Sequence, residues 1–126
     1  MRIILASKSG VRKKILNNFK IDCQVIASQV DEDEVKQSLL AEGADPLIIS
    51  KNLAEIKSIK VSSKNPDRLV IGADSVISLQ DQLINKPRSR DEALSILKKL
   101  NNSVHYLITS VCISKNGAMI WNHSDS

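Results

Sequence analysis

Apolar and polar positions along the chain change period several times, and each change marks an element. "RIILA" (Arg2–Ala6) is a short continuous apolar run rich in β-branched residues, which predicts a buried first strand. Val11, Ile15, Leu16 and Phe19 then recur at helical spacing with Arg12, Lys13 and Lys14 on the other faces. A helix capped by Ser7 or Ser9 and packed through those four residues is expected. Asp22–Ala27 returns to a strand pattern, and "SQVDEDE" (Ser28–Glu34) reads as an acidic loop leading toward a helix. Asp45-Pro46 places a cap and a first-turn proline before "LIISKNLAEIKSIKVSS", a long helix with Leu53, Ile56 and Val61 turned inward. "LVIGADSVISL" (Leu69–Leu79) is the most apolar strand, interrupted at its centre by Gly72, Asp74 and Ser75. A short strand ending at "NKP" follows, and Ser89-x-x-Glu92 is a capping box that opens a helix over Arg90–Leu100. Val104–Ser114 reads as a strand, Asn116-Gly117 as a hairpin turn and Ala118–Trp121 as the return strand.

The order β-α-β-α-β-β-α-β-β predicts an α/β fold, a mixed β-sheet with flanking helices. At 126 residues the chain is expected to form a single domain, 1–126, long enough for a genuine core. It stops just after the last strand with nothing to cover the new sheet edge, so a second copy or another chain is a candidate partner there.

Composition narrows the classes. Apolar content of 42% and charged content of 25% are those of a folded globular chain. Phe19, Tyr106 and Trp121 are the only aromatic residues, so the core must be aliphatic. Three rings are also too few to stack single-stranded nucleic acid, and no recognition motif for it is present. The formal charge of +4 favours anionic partners. Cys23 and Cys112 have neither disulfide-framework nor metal-site spacing, which suits a reducing cytoplasm. No run approaches membrane-spanning length, and the N-terminal apolar run is too short for a signal peptide.

Candidate chemistry lies at four places, each with an ordinary rival. The Ser/Gly loop between the first strand and helix offers hydroxyls, free N–H groups and a helix dipole to a phosphate, with Arg12 as a planar cationic fork; an ordinary capped helix is the alternative. Asp74 would be costly to bury inside a strand unless it is paired or binds a cation; an aspartate at a bulge made possible by Gly72 is the alternative. The run Asp31–Glu34 could hold Mg²⁺ or simply suit a helix N-terminus. Lys57 and Lys86 are either anion contacts or surface charge, and His105 is a base or a structural histidine.

The order of these pieces resembles the Maf family of nucleoside triphosphate pyrophosphatases. "LASKSGVR" is similar to the family's opening motif, "VDE" to its acidic loop, "LAEIKS" to its lysine helix and "VIGADSVI" to its central strand. "NKPRSRDEALSILKKL" and "HYLITSV" continue the match in register. The resemblance implies the elongated α/β architecture shared with inosine triphosphatases. It implies hydrolysis of a nucleoside triphosphate to monophosphate and pyrophosphate with Mg²⁺ or Mn²⁺. Asp74 matches the proton acceptor and, with Glu32, the metal position; Ser7, Ser9, Arg12, Lys57 and Lys86 match phosphate contacts, Lys86 also counting as catalytic. Val11 and Ser75 stand where the family sets base preference, and both depart from its commonest residues. The family chain normally continues for several dozen residues more, so this sequence is expected to cover the N-terminal two thirds of that domain. An inactive nucleotide-binding or dimerising protein is the alternative reading.

Overall fold

The computed structural model describes residues 3–7, 10–79, 82–84, 89–101 and 105–126. Its elements run β1 (Ile3–Leu5), α1 (Gly10–Asn18), β2 (Cys23–Val25), α2 (Glu32–Ala41), α3 (Pro46–Ser63), β3 (Val70–Leu79), β4 (Gln82–Ile84), α4 (Arg90–Asn101), β5 (His105–Lys115) and β6 (Ala118–Asp125). Between β2 and β3 there are thus two helices where the pattern predicts one, because the acidic run does not stay a loop. Asp31 caps α2 by accepting from the Glu34 N–H at 3.1 Å, and Glu32, Asp33 and Glu34 occupy the first turn, where the helix dipole favours negative charge.

One mixed sheet has the order β2-β1-β3-β5-β6, with β4 also pairing β3. β1 lies parallel to both β2 and β3, whereas β3–β4, β3–β5 and β5–β6 are antiparallel. The expected α/β class and mixed sheet are therefore present. The hairpin turn is as expected, with positive φ of 54° at Asn116 and 80° at Gly117. The return strand extends past Trp121 to Asp125, pairing as far as Thr109.

The core is aliphatic, with Ile4, Ala6, Val61 and Val70 forming one cluster and Ile49 and Leu53 fully buried. α3 is its organising element. Asp45 accepts from the Ile48 N–H at 2.9 Å and Pro46 opens the first turn, the start the sequence predicts. Its buried stripe, which includes Ser50, Leu53, Ala54, Lys57, Ser58, Val61 and Ser62, packs against β3 and β5.

The approach is close enough that Gly72 has no room for a side chain. A Cβ there would stand 2.4 Å from the Ala54 carbonyl oxygen and 2.8 Å from the Ser58 nitrogen. This also sets aside the alternative of a bulge, because β3 pairs with β5 without interruption from Val70↔Ser114 to Leu79↔His105. Gly72 serves helix approach, and Asp74 sits in a regular ladder.

α1 differs from its pattern too. Ile15 is 50% exposed and Phe19 75%, so the stripe read as inward is largely outward. Nine residues long, α1 packs chiefly on β2.

Candidate functional site

Strand alternation decides which β3 side chains can do chemistry. Val70, Gly72, Asp74, Val76 and Ser78 are buried on the face covered by α3, while Ser75 between them is exposed. Ser75 shares a hydrogen bond of 3.0 Å with Thr109 on the other face. The structure therefore separates Ser75 from Asp74, although they are adjacent in sequence.

Three elements converge on Lys57. Its Nζ donates to Asp74 Oδ1 at 3.2 Å and pairs with Glu32 Oε1. Glu32 is the first residue of α2, Lys57 lies on the buried stripe of α3 and Asp74 comes from the middle of β3. Residues 32, 57 and 74, far apart in the chain, thus meet in one place. Lys57 is buried at 8% exposure, so the alternative of a surface charge is set aside.

Asp74 is itself only 7% exposed, and its Oδ2 is buried with no hydrogen-bond partner among the described residues. Burial pushes the Asp74 carboxyl above its ordinary range; Lys57 opposes the rise by charge and hydrogen bonding, Glu32 adds to it, and Lys36 opposes it weakly. An unpaired buried carboxylate oxygen beside a second carboxylate suits a hard cation, a water or a proton. Glu32 and Asp74 are the two carboxylates here that could take part in holding a divalent cation. Among the described residues no three His, Cys, Asp or Glu side chains converge as a protein-only metal cage.

A second small constellation lies at the end of β1. Ser7 is buried, and its Oγ accepts from Arg12 Nη1 at 3.3 Å. Ile4 and Leu5 of β1 pair in parallel with Val70 and Ile71 of β3, so Ser7 and Asp74 both lie just beyond the paired segment, toward the same end of neighbouring strands. Ser9 and Lys86 lie outside the described residues, and Val11 belongs to α1.

Sequence reading missed Ser50. It is fully buried on α3, and its Oγ lies 3.0 Å from both the Asp74 carbonyl oxygen and Ser110 Oγ. The only signal was a small residue at every fourth place, Ser50, Ala54, Ser58 and Ser62.

Residues 2–126 match the family described as Maf-like protein. The chain is 59% identical over 123 residues to a Pelagibacter ubique protein named nucleoside triphosphate pyrophosphatase, covering 98% of this chain and 63% of that one. A Ruegeria pomeroyi protein of the same name is 40% identical over 121 residues, covering 96% and 61%. A Brucella abortus protein named 7-methyl-GTP pyrophosphatase is 36% identical over 123 residues, covering 98% and 62%. The chain thus spans about three fifths of the length of the curated relatives it matches. Among solved structures, the Staphylococcus aureus Ham1 protein aligns at a TM-score of 0.48 and 17% identity, covering 98% of this chain and 67% of that one.

Proposed function

The chain belongs to the Maf family, and on that premise we propose that it acts as a nucleoside triphosphate pyrophosphatase, splitting the α–β phosphoanhydride bond to release pyrophosphate and a nucleoside monophosphate. The observation that carries this reading is the Lys57 node, where two carboxylates share one buried ammonium and Asp74 keeps a buried oxygen without a partner among the described residues. The names of the relatives agree with it.

In this reading residues 1–126 are one domain. Glu32 and Asp74 hold Mg²⁺ or Mn²⁺, which when bound withdraws charge from the phosphate under attack. Asp74 accepts the proton of the attacking water, for which its raised affinity for protons suits it. Ser7, Ser9, Arg12, Lys57 and Lys86 bind the phosphate oxygens. Arg12 presents a planar fork and Ser7 is already hydrogen-bonded to it, so part of the ordering needed for an anion is done in advance. Lys86 neutralises the leaving pyrophosphate. Val11 and Ser75 bear on base choice, Ser75 from the opposite sheet face. Two buried free cysteines suit a cytoplasmic setting. Among the described residues no helix is long and apolar enough to cross a membrane.

The test is pyrophosphate release from dTTP, UTP, CTP, GTP and 7-methyl-GTP with Mg²⁺ or Mn²⁺, run beside Asp74→Asn and an EDTA control. Release that both the substitution and the chelator abolish supports the reading, and the preferred substrate names the base. Release that Asp74→Asn leaves intact removes Asp74 from the chemistry. A second reading, a binding protein that pairs with its own copy, draws on the exposed apolar side chains of Ile120 and Trp121 on β6. No turnover together with a concentration-dependent dimer would select it.

A further inference from the structure

The buried polar side chains among the described residues are serines, with two exceptions, Lys57 and Asp74. Two of those serines, together with the half-buried Ser124, form a chain that ends on Asp74. Ser50 Oγ lies 3.0 Å from the Asp74 carbonyl oxygen and 3.0 Å from Ser110 Oγ, and Ser110 Oγ lies 2.8 Å from Ser124 Oγ.

Ser50 Oγ is the donor to both the Asp74 carbonyl oxygen and Ser110 Oγ, so its one hydroxyl proton is shared between two acceptors. Ser110 and Ser124 continue the link, and either hydroxyl can donate there. Three strands and one helix thus meet through hydroxyls at the main chain of Asp74.

The helix that carries Ser50 also carries Lys57, and the two grip the same residue from different sides. Ser50 holds the Asp74 main chain and Lys57 holds its carboxylate. Between them Ala54 rests on Gly72, where no side chain fits. We propose that Ser50 is a positioning residue for Asp74, fixing the strand at that point so that the carboxylate meets Lys57 with Oδ2 turned to the reacting atoms. Its catalytic consequence rests on the pyrophosphatase reading; its structural consequence does not.

Ser58 supplies the control. It is equally buried on α3 and bonds Ser114 on β5 at 2.7 Å, the same kind of contact without Asp74. Ser50→Ala and Ser58→Ala are compared by melting temperature, by pyrophosphate-release kinetics and by ¹³C NMR of the Asp74 carbonyl and side-chain carboxyl at one fixed pH. Both substitutions are expected to lower the melting temperature similarly. Ser50→Ala alone should lower kcat about tenfold with KM within about twofold, since a misplaced group loses interaction in the transition state rather than substrate affinity. It alone should move both Asp74 carbon signals.

If the Asp74 carboxyl signal stays in place in Ser50→Ala, or moves equally in Ser58→Ala, Ser50 is packing only and the proposal fails. If the wild-type chain releases no pyrophosphate, the functional reading fails, and the two carbon signals still decide the positioning role. Should Ser50→Ala not fold, Ser50→Cys, of similar shape but a weaker donor, makes the same comparison, with smaller shifts expected.

Discussion

Asp74 and Lys57 form a buried ion pair on the face of the sheet covered by α3. The Asp74 carboxyl keeps its proton to higher pH than its ordinary value of 3.8, with burial as the main cause. The folded state therefore binds that proton more tightly than the unfolded chain does. Its contribution to stability is complete below the unfolded value and is lost as pH rises through the raised folded value. Asp74→Asn lacks this dependence. Thermal melts from pH 4 to 8 should show wild type losing ground to the Asn variant as pH rises, even as pyrophosphate release in the variant falls by about a hundredfold or more. Lys57→Ala has the opposite effect on folding, because it leaves Asp74 and Glu32 without their shared cation. A loss of about 3 kcal/mol is expected in urea unfolding, and adding Asp74→Asn to Lys57→Ala should recover part of it.

At the scale of elements, the packing of α3 on β3 sets the geometry that those residues need. Gly72→Ala would force backbone apart from backbone, since the atoms a Cβ would strike include the Ala54 carbonyl and the Ser58 nitrogen. A loss of about 3 kcal/mol is expected from the denaturation midpoint. Asp45→Ala removes the α3 cap and should cost about 1 kcal/mol in the same assay, leaving the site in place. Features of this local kind were readable in the sequence: the Asp45-Pro46 start, the Ser89 cap, which accepts from the Glu92 N–H at 3.1 Å, and the Asn116-Gly117 turn. Each is decided by residues within a few places of one another. The exposed side of α1, the unbroken ladder through Asp74 and the burial of Lys57 were not readable, because each depends on what another element brings. A glycine in a strand is equally consistent with a bulge and with a helix lying on it; only the position of Ala54 tells them apart. The carboxylates and the lysine could be picked out as chemistry, but their meeting depends on α2 and β3 both reaching α3.

At the largest scale, β6 is the last strand of the sheet order among the described residues, with Ile120 60% and Trp121 50% exposed. An apolar edge strand invites another strand. If the chain pairs with its own copy through that edge, sedimentation should show concentration-dependent association in the wild type, and Ile120→Lys should abolish it without lowering the melting temperature. An association unchanged by Ile120→Lys would place the contact elsewhere.

The serines packed beneath α3 also bear on how the protein responds to temperature. Exposing apolar surface on unfolding raises the heat capacity, by about 0.45 cal/K/mol per Å², whereas exposing polar surface lowers it by about 0.26. A helix–sheet interface lined by hydroxyls at Ser50, Ser58, Ser62, Ser110 and Ser114 thus unfolds with a smaller heat-capacity increment than one of equal area lined by methyl groups. The curve of stability against temperature is correspondingly broader and flatter than an aliphatic interface of the same area would give.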